Sequence, residues 1–129
     1  MTDITASGKW ILVVEDDEYI NKAYAAKFEH EQVVAKFAVE GDQALKMLRE
    51  SAEMPSLILL DLMLPKKNGF EVLQELKADE KLKQIPVVIL TNLAQENDAK
   101  KGLELGAIKY LIKADTKIAD ILAVVREHI

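Results

Sequence analysis

Residues 11–17 read Ile11-Leu12-Val13-Val14-Glu15-Asp16-Asp17: four aliphatic side chains followed at once by three carboxylates. Similar aliphatic runs end in a polar residue further along the chain, at Asp61, Thr91 and Lys113. Short continuous aliphatic runs are typical of strands that helices cover on both faces of a parallel sheet. Ligands of such sheets bind beyond the carboxyl ends of the strands, so these polar residues are predicted to meet at one edge.

The remaining sequence fits this architecture. Amphipathic stretches separate the aliphatic runs, and the runs at 33–39 and 108–112 carry lysines, which favours two edge strands. Leu103 is predicted on the inner face of the fourth helix, and Asp115 or Thr116 is predicted to cap the fifth. The whole pattern predicts an α/β fold of the flavodoxin-like kind, a (βα)5 three-layer sandwich whose five-stranded parallel sheet has the order 2-1-3-4-5.

Composition narrows the class of protein. The chain has 129 residues with 22 acidic against 17 basic side chains, a net charge of −5, which disfavours direct nucleic-acid binding. It has no cysteine, which excludes disulfides and thiolate metal sites. No apolar run approaches a membrane span or a signal-peptide core. We predict a cytoplasmic protein, with a short polar lead at residues 1–8 and one domain at 9–129.

The acidic triplet indicates a cation site. Three adjacent carboxylates repel one another, and carboxylate oxygens are ligands that suit Mg²⁺. An acidic helix start favoured by the helix dipole explains the triplet about equally well. Asp61 favours the first interpretation, because a carboxylate at the end of a buried strand can act as a nucleophile toward phosphorus. Lys113 and Thr91 would then neutralise and hydrogen-bond the phosphoryl group.

These residues resemble the response-regulator receiver domains of two-component signalling, from Trp10 to the last helix. The motifs that carry the resemblance are Val13-Val14-Glu15-Asp16-Asp17, Leu59-Leu60-Asp61-Leu62-Met63-Leu64-Pro65, Asn68-Gly69, Leu90-Thr91, Gly106-Ala107 and Tyr110-Leu111-Ile112-Lys113. The resemblance implies that Asp61 is the phosphoacceptor and that Asp16 binds Mg²⁺, or Mn²⁺ in its place, with help from Glu15. It also implies that Met63 gives its backbone carbonyl to the metal.

The resemblance further implies that Thr91 and Lys113 hold the phosphoryl oxygens and that Tyr110 is an aromatic switch coupled to Thr91. A half-buried tyrosine on an edge strand explains Tyr110 equally well. The implied donor is a sensor histidine kinase or a histidine phosphotransfer protein. The implied output is an unnamed downstream protein or effector domain, and a homodimer through the fourth helix, fifth strand and fifth helix is a candidate assembly. The protein would be a signalling phosphoacceptor with slow self-dephosphorylation rather than an enzyme.

Two residues depart from the family pattern. Ala114 follows Lys113 where proline, often after a cis bond, is usual, so this peptide bond is either trans in a rearranged loop or a strained cis bond. Asn92 follows Thr91 where a small residue is usual. Met63 and Leu93 flank the expected phosphate and are apolar, so neither can orient water for hydrolysis.

Three other classes of protein share features with this sequence. A haloacid-dehalogenase-like phosphatase needs a second aspartate two positions after the nucleophile, where this chain has Met63. A flavin-binding module needs a phosphate-cradling loop rich in glycine and serine where this chain is acidic. A receiver-like module that binds partners without phosphorylation stays open because of Asn92 and Ala114.

Overall fold

A computed structural model describes residues 9–129, in which five strands alternate with five helices. The predicted polar lead, residues 1–8, lies outside the described residues. The strands are β1 (Ile11–Val14), β2 (Ala35–Ala38), β3 (Leu57–Leu60), β4 (Val87–Thr91) and β5 (Lys109–Ile112). The helices are α1 (Glu18–His30), α2 (Gly41–Glu50), α3 (Gly69–Ala78), α4 (Glu96–Glu104) and α5 (Ile118–Arg126), and a 3₁₀ turn spans Lys113–Asp115.

The sheet is parallel and has the order β2-β1-β3-β4-β5, which confirms the predicted flavodoxin-like topology. Its register decides where the site forms. Val14 lies opposite Leu60, so the residues that follow, Glu15 and Asp61, leave the sheet side by side. Thr91 lies opposite Ile112, which places Lys113 just beyond the end of β4. The order of the strands therefore brings residues from four chain segments to one edge.

The aliphatic strands are buried because helices cover both faces of the sheet. One face, with Leu12, Ile58 and Ile89, packs on α2 and α3. The other face, with Val13 and Leu59, packs on α1 and α5. A fully buried aliphatic side chain stabilises a fold by about 1.5–3 kcal/mol relative to an exposed one. The strands thus form a rigid base whose carboxyl ends hold polar residues in place.

Two local predictions were wrong. Lys117 is the N-cap of α5, while Asp115 lies in the 3₁₀ turn and the Thr116 hydroxyl donates instead to the carbonyl of Ile112 at 2.7 Å. Leu103 is exposed, because α4 meets the sheet through Gly102, where a Cβ would lie 2.5 Å from Ile89 Cδ1. The face of α4 that carries Gly102 therefore lies against β4, and Leu103 is left on the solvent side.

Among residues 9–129, no helix combines the length and the apolar composition that a membrane crossing requires.

Candidate functional site

Three carboxylates meet beyond the carboxyl ends of β1 and β3. Glu15, Asp16 and Asp61 each offer one oxygen, and these oxygens lie within 4.8 Å of one another. Glu15 and Asp61 are buried, whereas Asp16 is exposed to solvent. The sheet register explains the cluster, since β1 and β3 end at the same level. The predicted convergence of these residues is confirmed.

Asp17, the third acidic residue of the triplet, has a different role. Its side chain caps α1 and accepts hydrogen bonds from the backbone N–H groups of Tyr19 and Ile20 at 2.9 and 3.1 Å. An anionic cap also interacts favourably with the helix dipole. The helix-start interpretation of the triplet is therefore confirmed for Asp17, whereas Glu15 and Asp16 lie in the carboxylate cluster.

Lys113 bridges the two buried carboxylates. Its Nζ donates to Asp61 Oδ2 at 3.0 Å and makes a short hydrogen bond to Glu15 Oε1. Its side chain is only 10% exposed. Because β4 lies between β3 and β5, the lysine has to reach across the end of β4. A long cationic side chain at this position is therefore needed to contact both carboxylates.

The ionisation of these groups reflects burial and mutual contact. Burial raises the pKa of Glu15, although the bonds from Lys113 and the Asp17 N–H partly oppose that shift. For Lys113, burial disfavours the ammonium, yet the bonds to Glu15 and Asp61 outweigh it and raise the pKa. The lysine thus stays charged. Three carboxylates and one ammonium leave excess negative charge, which suits a divalent cation with oxygen ligands.

The loop after β4 is held by two other predicted residues. Thr91 is fully buried, and its Oγ1 accepts from the N–H of Leu93 at 3.3 Å. Tyr110 is half-buried, and its hydroxyl donates a short hydrogen bond to the carbonyl of Leu93. Thr91 and Tyr110 therefore bind the same residue of the loop, from β4 and from β5. Neither side chain hydrogen-bonds a carboxylate of the cluster; both act on the loop through Leu93.

The loop after β3 folds back and passes close to Asp61. Asp61 Oδ1 accepts from the N–H of Met63 at 3.1 Å, and the Met63 side chain is largely exposed. The N–H of Gly69 donates to the Leu62 carbonyl at 2.9 Å. A Cβ at residue 69 would overlap the Asp61 carbonyl oxygen and lie 2.6 Å from Leu62 Cα. Only glycine lets α3 begin so close to the predicted acceptor.

The two residues that depart from the family pattern contact each other. No peptide bond among residues 9–129 is cis, so the bond from Lys113 to Ala114 is trans. The backbone N–H of Ala114 donates to Asn92 Oδ1 at 2.9 Å. Proline at residue 114 would have no such donor. Leu93, next to Asn92, is partly buried against the core.

Sequence reasoning missed two residues of α1. Asn21 Nδ2 donates to the Glu15 carbonyl at 2.7 Å, and the buried Tyr24 lines a small cavity of about 10 Å³ together with Glu15 and Asp61. Burial raises the pKa of Tyr24, so its phenol stays neutral. Asn21 and Tyr24 lie in the first two turns of α1, four and seven positions after the Asp17 cap. This helical spacing could have indicated that both residues lie near Glu15.

Comparison with known proteins identified a family that matches most of the chain. Residues 11–126 match the sequence profile described as the response regulator receiver domain. The DNA-binding dual master transcriptional regulator RpaA of Synechocystis is 41% identical over 105 residues, which cover 80% of this chain and 42% of RpaA. The chain thus spans less than half the length of this relative. Response regulator Rcp1 of Synechocystis is 37% identical over 124 residues, covering 88% of this chain and 82% of Rcp1.

Solved structures agree with the sequence matches. The Mn²⁺-bound form of Rcp1 superposes with a TM-score of 0.75 at 34% identity, over 92% of this chain and 90% of that one. The receiver domain of the sensor histidine kinase PA1611 of Pseudomonas aeruginosa, with magnesium in its active-site cleft, superposes with a TM-score of 0.81. It is 25% identical and covers 93% of this chain and 96% of that one.

Proposed function

This chain belongs to the response regulator receiver domain family, and from that premise we propose that Asp61 is its phosphoacceptor. One observation carries the proposal. The buried carboxylate of Asp61 is bonded to the ammonium of Lys113 and lies within a cluster of three carboxylates. A carboxylate at a strand end could serve as a structural cap, but a cap does not need a buried lysine and two acidic neighbours. A phosphoryl-accepting nucleophile does.

The reaction is an exchange of partners at phosphorus. A carboxylate oxygen of Asp61 forms a bond to phosphorus as the bond between phosphorus and the donor atom breaks, which leaves an acyl phosphate on Asp61. Lys113 offsets negative charge that gathers on the phosphoryl oxygens, and Thr91 offers its hydroxyl as a further donor. Lys113 already hydrogen-bonds Asp61, so it lies beside the carboxylate that receives the phosphoryl group.

The carboxylate cluster fits a resident divalent cation. Glu15, Asp16 and Asp61 supply hard oxygen ligands, and we add the backbone carbonyl of Met63 as the fourth protein ligand. Mg²⁺, or Mn²⁺ in its place, would neutralise phosphoryl charge during transfer. The metals in the Rcp1 and PA1611 structures support this assignment.

We also propose that Thr91 and Tyr110 form the conformational switch that responds to phosphorylation. Both bind Leu93 in the loop after β4, so a shift of Thr91 toward a phosphoryl group would disturb the loop that holds the tyrosine hydroxyl. Phosphorylation would then change the population of two arrangements of α4 and β5. The population shift is set by how much more favourably the phosphoryl group interacts with one arrangement than with the other.

The aspartyl phosphate is expected to hydrolyse slowly. Met63 and Leu93 lie two positions after Asp61 and Thr91, and neither side chain can hydrogen-bond an attacking water. Met63→Asn should therefore shorten the phosphate lifetime, measured by the decay of the phosphorylated mass after the donor is removed. Fast decay in the parent, with no change in the variant, would contradict this reasoning.

Partners follow from the chemistry of a receiver. The donor would be a sensor histidine kinase or a histidine phosphotransfer protein, and the output an effector domain or a downstream protein. RpaA is named as a DNA-binding regulator, so contact with nucleic acid through a linked domain is compatible with this chain's acidic character. A homodimer through α4, β5 and α5 and a cytoplasmic location stay predictions.

Phosphorylation by a small donor tests the proposed site. The protein would be incubated with Mg²⁺ and acetyl phosphate and its intact mass recorded at once. We expect one added phosphoryl group, absent from Asp61→Asn and from a sample with the metal chelated. A parent protein that gains no mass and binds no Mg²⁺ would refute the proposal and indicate a module that works without phosphorylation.

A further inference from the structure

The peptide group that follows Lys113 is held at both ends. Its carbonyl accepts from the N–H of Thr116 at 3.2 Å, and its N–H, that of Ala114, donates to Asn92 Oδ1 at 2.9 Å. The preceding peptide is also tied, because the Thr116 hydroxyl donates to the Ile112 carbonyl at 2.7 Å. Three hydrogen bonds therefore fix the backbone on the two sides of Lys113.

The hydrogen bond with Asn92 ties this turn to a different part of the chain. Asn92 follows Thr91 at the end of β4, twenty-two residues before Ala114. The register places Thr91 opposite Ile112, so Asn92 and the turn of Lys113 leave the sheet as neighbours. An alanine at residue 114 supplies the N–H that a proline lacks, and an asparagine at residue 92 supplies the acceptor. Each departure from the family pattern thus provides one half of a single hydrogen bond.

We propose that Asn92 is a positioning residue for Lys113, through its side-chain hydrogen bond to the Ala114 amide. The bond fixes the turn that aims Lys113 at Asp61 and ties that turn to the strand end that carries Thr91. The inference rests on the proposed phosphoacceptor function of Asp61. It adds that this chain orients its lysine with an asparagine side chain where a proline ring would otherwise stiffen the loop.

The first test needs neither metal nor phosphate. Hydrogen exchange of the Ala114 amide would be followed by NMR in the parent, Asn92→Ala and Asn92→Asp. One net hydrogen bond corresponds to a change of about 2- to 10-fold. We expect exchange to accelerate by that factor in Asn92→Ala and to stay slow in Asn92→Asp, which retains an acceptor oxygen. Equal exchange in the parent and Asn92→Ala would overturn the proposal.

The second test asks whether Asn92 acts through Lys113. The rate of acetyl phosphate labelling would be measured in the parent, Asn92→Ala, Lys113→Ala and the double variant, with Mg²⁺ present. We expect Asn92→Ala to slow labelling about 2- to 10-fold in the parent and to have no effect once Lys113 is absent. The same slowing in both backgrounds would overturn the positioning role, as would no slowing at all.

Labelling of the parent protein distinguishes a failure of the Asn92 proposal from a failure of the proposed phosphoacceptor function. Labelling of the parent at Asp61 without any effect of Asn92→Ala would defeat this inference alone. A parent that takes up no phosphoryl group would defeat the proposed function, and the inference with it.

Discussion

Replacing Lys113 by methionine removes the cation that two buried carboxylates share. Glu15 and Asp61 are 3% and 5% exposed, and Lys113 hydrogen-bonds both. Removing one partner of a buried ion pair costs about 3–5 kcal/mol, because the remaining charge is desolvated and unpaired. The solvent-exposed Asp16 shows that water reaches this rim, so the lower end applies. We expect the free energy of unfolding to fall by about 3 kcal/mol.

Urea unfolding with a chelator present measures this change. Trp10 is the only tryptophan and is buried, so its fluorescence reports the loss of structure. With a slope of about 2 kcal/mol per molar urea, the midpoint should fall by about 1.5 M. Lys46→Met is the matched control, because Lys46 pairs with Glu50 on the surface of α2 with its side chain 76% exposed. The control should lose less than about 1 kcal/mol.

The pH dependence of this effect has a definite sign. The pKa of Lys113 is raised above its ordinary value of 10.5, so its stabilising contribution is complete below that value and is lost only at higher pH. Burial raises the pKa of Glu15, and without the lysine it rises further. As the pH falls, protonation of Glu15 should therefore reduce the difference in unfolding free energy between the parent and Lys113→Met. A Lys113→Met protein as stable as the Lys46→Met control at neutral pH would refute the electrostatic reasoning.

Other perturbations test the supporting structure with the same unfolding assay. Gly69→Ala should lose about 3 kcal/mol, since its Cβ would overlap the Asp61 carbonyl; a loss below about 0.5 kcal/mol would mean that the loop yields freely. Asn68→Ala should lose about 1 kcal/mol by opening the capping box that starts α3, and an unchanged midpoint would argue against that cap. Burial lowers the pKa of Lys77, so the folded state releases this proton before the unfolded state does. Relative to Lys77→Met, the parent should therefore gain stability as the pH rises toward 10.5, and a constant difference would contradict this.

The strands were predicted well because their burial on both faces leaves a continuous aliphatic run. The runs at 11–14 and 57–60 coincide with β1 and β3, and the polar residues that follow them meet as expected. Long-range convergence could be read from the sequence because parallel strands place their carboxyl ends together.

The turn after β5 could not be predicted in the same way. Its form depends on hydrogen bonds from side chains to the backbone, those of Thr116 to Ile112 and of Asn92 to Ala114. The second bond joins residues twenty-two positions apart, and no periodic pattern marks it. The exposed face of α4 escaped prediction for a related reason: a glycine contact with β4, rather than an apolar stripe, sets its orientation.

A single carboxylate, that of Asp61, is proposed to accept the phosphoryl group. Protein labelled with acetyl phosphate and Mg²⁺ would be reduced with borohydride, which converts an acyl phosphate on aspartate into homoserine, and then digested and sequenced by tandem mass spectrometry. Homoserine at position 61, with Glu15 and Asp16 unmodified, is the expected result. Homoserine at another aspartate, or none at any position in protein that carries the added mass, would contradict the account.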